Sequence, residues 1–250
     1  MFPLNIHQIW LQGFNDMPIK YLPFIKKIKL LHPSWNYYFW DEITIIKLLQ
    51  LNKQWIKTYY KFIYLHQKVD YARYIILYIY GGVYIDIDVE MIKPLDDLLD
   101  KYKNKTLIVS KLELKKFESL FFSGTNICIN NGIIISVAKE KIIQKLIEHI
   151  DEHPTYNLLH NKFFTINNTT GPKIFTKIIL KNLHPRVEIL DNKYFEPTND
   201  LSNSYCIHHQ DNTWLNNDFI FFKNFYLGHR KLFYLIIIII VIMLLVLKTH

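Results

Sequence analysis

A mostly parallel α/β sheet flanked by helices, with a C-terminal transmembrane helix, is the architecture that this 250-residue chain predicts. Three observations carry that expectation. Strand-like and helix-like stretches alternate through the first two-thirds of the chain, as they do where helices cover a parallel sheet. One unit of that alternation, over residues 68–89, is sharply written as helix, glycine pair and strand. From Leu232 to Leu247 no charged or strongly polar residue occurs. Half of the chain is hydrophobic, enough for one domain with a full core. The expected organisation is a globular domain over 1–228 and an anchor over 229–250.

The helix of the central unit shows in its period. Ala72, Ile75, Ile76 and Ile79 recur at i, i+3, i+4 and i+7, which makes one apolar stripe. Asp70 and Arg73, three apart, share a face of that helix. On their own they read either as a surface ion pair of small energetic consequence or as a fixed guanidinium suited to a nucleoside diphosphate. Gly81 is expected as the αL residue closing the helix, and Gly82 lets the chain swing into a strand.

That strand, Val83-Tyr84-Ile85-Asp86-Ile87-Asp88-Val89, ends an apolar run with two carboxylates two residues apart. Residues two apart lie on one strand face, so Asp86, Asp88 and Tyr84 are expected to point the same way. Acids are rarely buried without a partner. Two of them closing a buried strand suggest a divalent cation held by oxygen ligands, at the sheet edge where α/β folds bind nucleotides. The plainer reading is a strand that runs out into a solvated acidic turn. A glycosidase-type carboxylate pair is a third reading. It needs side chains about 5–9.5 Å apart across a sugar, which i and i+2 of one strand do not supply.

Cys128 and Cys206, the two cysteines, fall in apparent strands without metal-ligand spacing, so two buried free thiols are expected. The net charge of +8 is spread over several helices, for example Lys26, Lys27 and Lys29, and Lys53, Lys57 and Lys61. Nucleic-acid binding would call for one dense basic stripe in a known module, and none is present. A solvated basic surface facing anionic lipid fits better.

The run Leu232–Leu247 is short for a bilayer span, which takes about 17–25 residues. Residues 226–228 and the snorkelling Arg230, Lys231 and Lys248 complete it. His229-Arg230-Lys231 precede the span and Lys248 follows it. That balance favours a single-pass protein with its domain on the cytosolic face, an endomembrane or Golgi location staying open. Met1 to Asn5 leads straight into the first strand with no signal peptide.

Taken together, Asp70-x-x-Arg73, Tyr80-Gly81-Gly82-Val83-Tyr84, Asp86-x-Asp88-Val89 and Lys93-Pro94-Leu95 resemble the sugar-binding core of glycosyltransferase family 32. That family includes fungal outer-chain and inositol-phosphoceramide mannosyltransferases, and large clostridial toxin glucosyltransferases have a similar core. Weaker pieces follow in the family's order: Ile6-His7-Gln8-Ile9-Trp10 with Gly13, Pro33 to Asp41, Asn131 to Ser136, Thr170-Gly171-Pro172, and His208-His209 with Trp214. The resemblance covers roughly residues 5–215 and implies a GT-A-like fold.

It also implies roles. Asp86 and Asp88 would be the catalytic, metal-binding pair for Mn2+ or Mg2+. Asp88 would coordinate directly, and Asp86 would act through water or hold the donor's ribose and sugar. His208 is the expected third ligand, with His209 as fallback. Asp70 and Arg73 would bind the donor sugar, and Trp214 would pack on the donor as part of a lid. Trp10 would stack on the base or be a core residue; Tyr84 would bond the donor or be core; Asn131 would touch sugar or acceptor or only pair with a strand. The implied reaction is retaining transfer of a hexose, of mannose or glucose/galactose type, from a nucleotide-diphosphate sugar to a glycan, lipid or protein acceptor. The alternative is a catalytically silent, membrane-anchored scaffold or sugar-binding protein with the same fold.

Overall fold

The computed structural model describes residues 1–155, 162–197, 201–209 and 211. Within Met1–Asp211 the chain runs β1 (Asn5–Ile9), α1 (Leu22–Leu31), β2 (Asn36–Trp40), α2 (Glu42–Leu49), α3 (Lys53–Tyr59) and α4 (Leu65–Tyr80). It continues with β3 (Gly82–Ile85), β4 (Val89–Met91), α5 (Asp96–Lys101), β5 (Leu107–Ser110), α6 (Lys116–Ser123) and β6 (Ile133–Ser136). The last elements are α7 (Lys141–Glu152), α8 (Lys162–Thr169), α9 (Pro172–Lys181), β7 (Val187–Leu190) and β8 (Cys206–His208).

Six strands form the main sheet in the order β2-β1-β3-β6-β5-β7. The β1–β2, β1–β3 and β5–β7 pairs are parallel, and β6 runs antiparallel to both β3 and β5. The expected mostly parallel α/β architecture is therefore present, with one reversed strand that carries Asn131 and Gly132 at its entrance to the end of β3. One apolar core lies between the sheet and α2, α3, α4, α7 and α9, with Tyr71, Ile75, Ile76, Ile143 and Phe175 fully buried. A second core on the other face gathers Ile28, Val83, Ile85, Leu98, Ile135 and Cys206.

Helix α4 starts three residues earlier than the period suggested, because Gln67 and Tyr64 form a reciprocal cap at its first turn. Its close is also different. Gly81 has φ 60° and ψ −170°, an extended conformation at positive φ rather than αL. A β-carbon there would lie 2.5 Å from the Ala138 nitrogen, and one on Gly82 would lie 2.5 Å from the Asn5 carbonyl oxygen. The glycine pair thus lets β3 enter the sheet between β1 and β6 at close backbone range.

The expected strand over 83–89 is two strands. It stops at Ile85, and Asp86-Ile87-Asp88 make a turn closed by Val89 N–H donating to the Asp86 carbonyl at 3.2 Å. Beyond the turn β4 leaves the main sheet and pairs antiparallel with β8, Val89 opposite His208. Cys128, expected in a strand, lies just before an isolated bridge at Ile129; both cysteines are free and buried.

Among the described residues no helix is long and apolar enough to cross a membrane. The expected anchor over 229–250 and Trp214 lie outside the described residues.

Candidate active site

The buried face of α4 carries charge into the core. Asp70 and Arg73 are 6% and 5% exposed, so of their two readings the surface ion pair is excluded and the pair is internal. Arg73 Nη2 lies 3.1 Å from Asp70 Oδ1 and 3.3 Å from Asp86 Oδ1. Its Nη1 donates to the Asn131 carbonyl at 2.6 Å, and the guanidinium lies over the Tyr84 ring at 4.4 Å. One cation therefore ties α4, the end of β3 and the entrance of β6 together.

Asp70 is held from all sides. Asn131 Nδ2 donates to its Oδ1 at 3.0 Å and the Thr170 hydroxyl to its Oδ2 at 3.0 Å. Asn131 Nδ2 also reaches the Tyr74 hydroxyl at 3.0 Å. Asn131 is thus more than a strand-pairing residue: its side-chain amide orients Asp70. Burial pushes the Asp70 carboxyl up to about 7 against the opposing pull of Arg73.

Asp86 sits where β3 ends. Its N–H donates to the Gly132 carbonyl at 2.8 Å, and its carbonyl accepts from Gln8 Nε2 at 3.2 Å, with Tyr37 holding Gln8 at 2.8 Å. The Tyr84 hydroxyl donates to Asp86 Oδ1 at 2.7 Å. Tyr84 is a buried core residue whose hydroxyl is also spent on the acid. Burial raises the Asp86 carboxyl, Arg73 opposes it and Asp88 adds to it.

Asp88 reaches the same point by the turn and not by strand alternation. Its Oδ1 lies 3.4 Å from His208 Nε2, and its Oδ2 accepts from the Asp211 N–H at 3.0 Å. Burial works against the charged carboxylate, but the His208 bond and charge outweigh it and hold Asp88 below the usual range. His208 is lowered by burial and raised more by Asp88 and Glu196, with the net result well above the ordinary histidine value.

Ligand atoms of Asp86, Asp88 and His208 all lie within 4.8 Å of one another. Two carboxylate oxygens and an imidazole nitrogen at that spacing fit a hard-to-borderline divalent cation such as Mn2+ or Mg2+. His209, the fallback, turns away: its Nε2 lies 3.2 Å from Glu90 and its ring stacks on Phe24 at 4.8 Å. Trp10 follows β1 half-buried, packed beside the cluster of Met17, Tyr21, Ile25 and Ile87. Its ring lies 5.9 Å from that of Tyr21 in this cluster, which also holds Ile87 of the acid turn, and its indole Nε1 finds no hydrogen-bond partner among the described residues.

Several residues of the site carry roles that the sequence did not show. Glu196 takes His208 Nδ1 at 2.6 Å and the Asn130 amide. Gly132 passes so close that a β-carbon would lie 2.7 Å from Asp86 Oδ2. Asp211 anchors to Tyr21 at 2.5 Å and Lys20 at 2.6 Å while its backbone caps Asp88. Asn130 and Gly132 flank Asn131, which the sequence did single out; Glu196 belongs to no periodic element and left no local signal.

Comparison with known proteins gives the arrangement a family. Residues 20–105 match the model described as "Glycosyltransferase sugar-binding region containing DXD motif". A glycosyltransferase of Acanthamoeba polyphaga mimivirus is 28% identical over 218 residues, covering 82% of this chain and 77% of that protein. Inositol phosphoceramide mannosyltransferase 1 of Schizosaccharomyces pombe is 32% identical over 127 residues, 49% of this chain; the chain spans only 38% of that enzyme's length. Among solved structures, the PaToxG glycosyltransferase superposes with a TM-score of 0.52 at 16% identity, over 73% of this chain and 70% of that one, which shows a shared fold. Residues 20–105 thus match a glycosyltransferase sugar-binding region, and its DXD motif falls on Asp86-Ile87-Asp88.

Proposed function

We propose that this chain is a glycosyltransferase that moves a hexose, of mannose or glucose/galactose type, from a nucleotide-diphosphate sugar to a glycan, lipid or protein acceptor. The reading includes dependence on Mn2+ or Mg2+ and retention at the anomeric carbon. The observation that carries it is the convergence of Asp86, Asp88 and His208 within 4.8 Å beside the buried Asp70–Arg73 pair. The mannose option rests on the similarity to the inositol phosphoceramide mannosyltransferases of Schizosaccharomyces pombe.

In this reading Asp88, Asp86 and His208 hold the cation. The chemistry the cation supplies when bound is charge neutralisation on the departing diphosphate. Asp70 and Arg73 form the floor under the donor sugar and keep Asp86 aimed by the 3.3 Å contact. Trp10, packed against the cluster that holds Ile87 of the acid turn, would stack on the base, and Trp214 would close over the donor. Preorganised charge at the leaving group supplies much of the rate enhancement in such transfers. Asp86 and Asp88 aim at one point with His208 rather than at opposite faces of a sugar, which speaks against a glycosidase pair. The apolar run Leu232–Leu247 supports a C-terminal membrane anchor with the domain on the cytosolic face.

Thermal denaturation with GDP-mannose, UDP-glucose or UDP-galactose, each with and without Mn2+, tests the reading. A ligand that binds only the native state raises the melting temperature. One donor is expected to stabilise the chain and to need Mn2+ to do so. Stabilisation by none of them, or one indifferent to Mn2+ and EDTA, contradicts the reading.

A further inference from the structure

Behind His208 lies a second, buried carboxylate. Glu196 is 6% exposed, and its Oε1 sits 2.6 Å from His208 Nδ1. The same oxygen accepts from the amide of Asn130, itself 5% exposed. Asn130 is fixed in turn, its Oδ1 accepting from Gly132 N–H at 2.8 Å, and the Gly132 carbonyl holds Asp86 N–H at 2.8 Å. On the far side the Cys206 thiol donates to the Phe195 carbonyl at 3.4 Å, which pins the Glu196 loop to β8. A closed chain of contacts therefore runs from Asp86 through Gly132, Asn130 and Glu196 to His208, and His208 Nε2 faces Asp88 Oδ1 at 3.4 Å.

A carboxylate accepts hydrogen bonds and donates none. Beside Glu196 a proton of His208 belongs on Nδ1, so Nε2, which faces the two aspartates, is the nitrogen that a cation would engage in place of a proton. Buried histidine ligands in metal sites are oriented in this way by carboxylates behind them. We propose that Glu196 is a positioning residue that fixes the ring and tautomer of His208, so that Nε2 completes a cation site with Asp86 and Asp88. Glu196 touches neither the donor nor the cation; it acts through His208. The inference rests on the metal-dependent reading above.

Calorimetric titration of the full-length chain with Mn2+ tests it without any turnover. Glu196→Ala is expected to weaken Mn2+ binding by about 10–100-fold. In a His208→Ala background the same change is expected to leave Mn2+ affinity unaltered, because the residue through which Glu196 acts is gone. Glu196→Gln keeps an acceptor oxygen and is expected to stay within a few-fold of wild type. Glu196→Asp, one methylene short, is expected to lose affinity. If circular dichroism shows the alanine variant unfolded, the glutamine and aspartate variants carry the comparison. Unchanged affinity in Glu196→Ala or Glu196→Asp, or an equal loss with and without His208, overturns the inference and leaves the metal site standing. A wild-type chain that binds no Mn2+ removes the metal dependence and this inference together.

Discussion

Gly132→Ala is the smallest change that should damage the site. The added β-carbon would sit 2.7 Å from Asp86 Oδ2, 3.1 Å from His208 Cε1 and 3.2 Å from Asn130 Oδ1. Ordinary contact starts near 3.4 Å, so the Asp86 oxygen must retreat by about 0.7 Å. Retreat is opposed, because Asp86 is held by Tyr84 at 2.7 Å and faces Arg73 at 3.3 Å. Gly132 cannot yield easily either, since its carbonyl accepts from Asp86 N–H and its own N–H donates to Asn130. Overpacking of this kind costs about 1–3 kcal/mol. For a domain of this size each kcal/mol lowers the melting temperature by about 2–4 °C. Displaced ligands should also weaken Mn2+ binding by about 10–100-fold, the range seen when the supports of a metal ligand are disturbed. Calorimetry with Mn2+ and a thermal melt on the same variant measure both. Wild-type affinity with an unshifted melt would refute the claim that close backbone approach at Gly132 shapes the acid cluster.

Three further outcomes follow from other parts of the structure. Arg73→Ala leaves the buried Asp70 and the half-buried Asp86 without their cation and should cost about 3–5 kcal/mol in urea denaturation; Arg73→Lys should recover only part, because Nη1 and Nη2 serve different partners. His7 donates from Nε2 to the Gly81 carbonyl at 3.0 Å and accepts from Trp40 Nε1 at 3.2 Å, so its ring is neutral, and burial lowers its pKa to about 4. The unfolded chain takes up that proton below about pH 6.5 while the folded one refuses it down to about 4, so His7 contributes a loss of about 3 kcal/mol as pH falls across this window; His7→Gln should remove that share of the slope from a pH series of urea melts, the half-buried His66 keeping its own. Asp41 caps α2 through Thr44 N–H at 2.8 Å, and the Thr44 hydroxyl at 2.6 Å, together with that N–H, holds its carboxyl low; Asp41→Ala should cost about 1 kcal/mol at neutral pH and nothing once acid has protonated the wild-type side chain.

The parts of the site that could be read in the sequence are the local ones. Helix α4, the glycine pair and the acid turn are contiguous, and each is written in a period or a residue type within twenty positions. What distance in sequence hides was missed or misplaced. The run 83–89 keeps strand-like alternation through Ile87 and Val89, so nothing in it shows that β4 leaves the sheet; the cause is pairing with β8, more than a hundred residues on. Spacing placed Asp70 and Arg73 on one helix face but could not say that the face is buried, which follows from Asn131 and Thr170 closing over it. His208 entered the reading only through family resemblance, and its partner Glu196 lies on a loop, where one carboxylate looks like any other. Gly132 was inside a quoted motif, yet its role is a matter of approach distance, which composition does not record.

Hydrolysis of a panel of nucleotide sugars by the full-length chain in detergent, with Mn2+ or with EDTA, tests the central claim most directly. Metal-dependent release of one particular nucleoside diphosphate, abolished in Asp86→Asn/Asp88→Asn while that variant still melts cooperatively, is the predicted result. Release at the same rate in EDTA, or in the double variant, would show that the acid turn is not the centre of the chemistry.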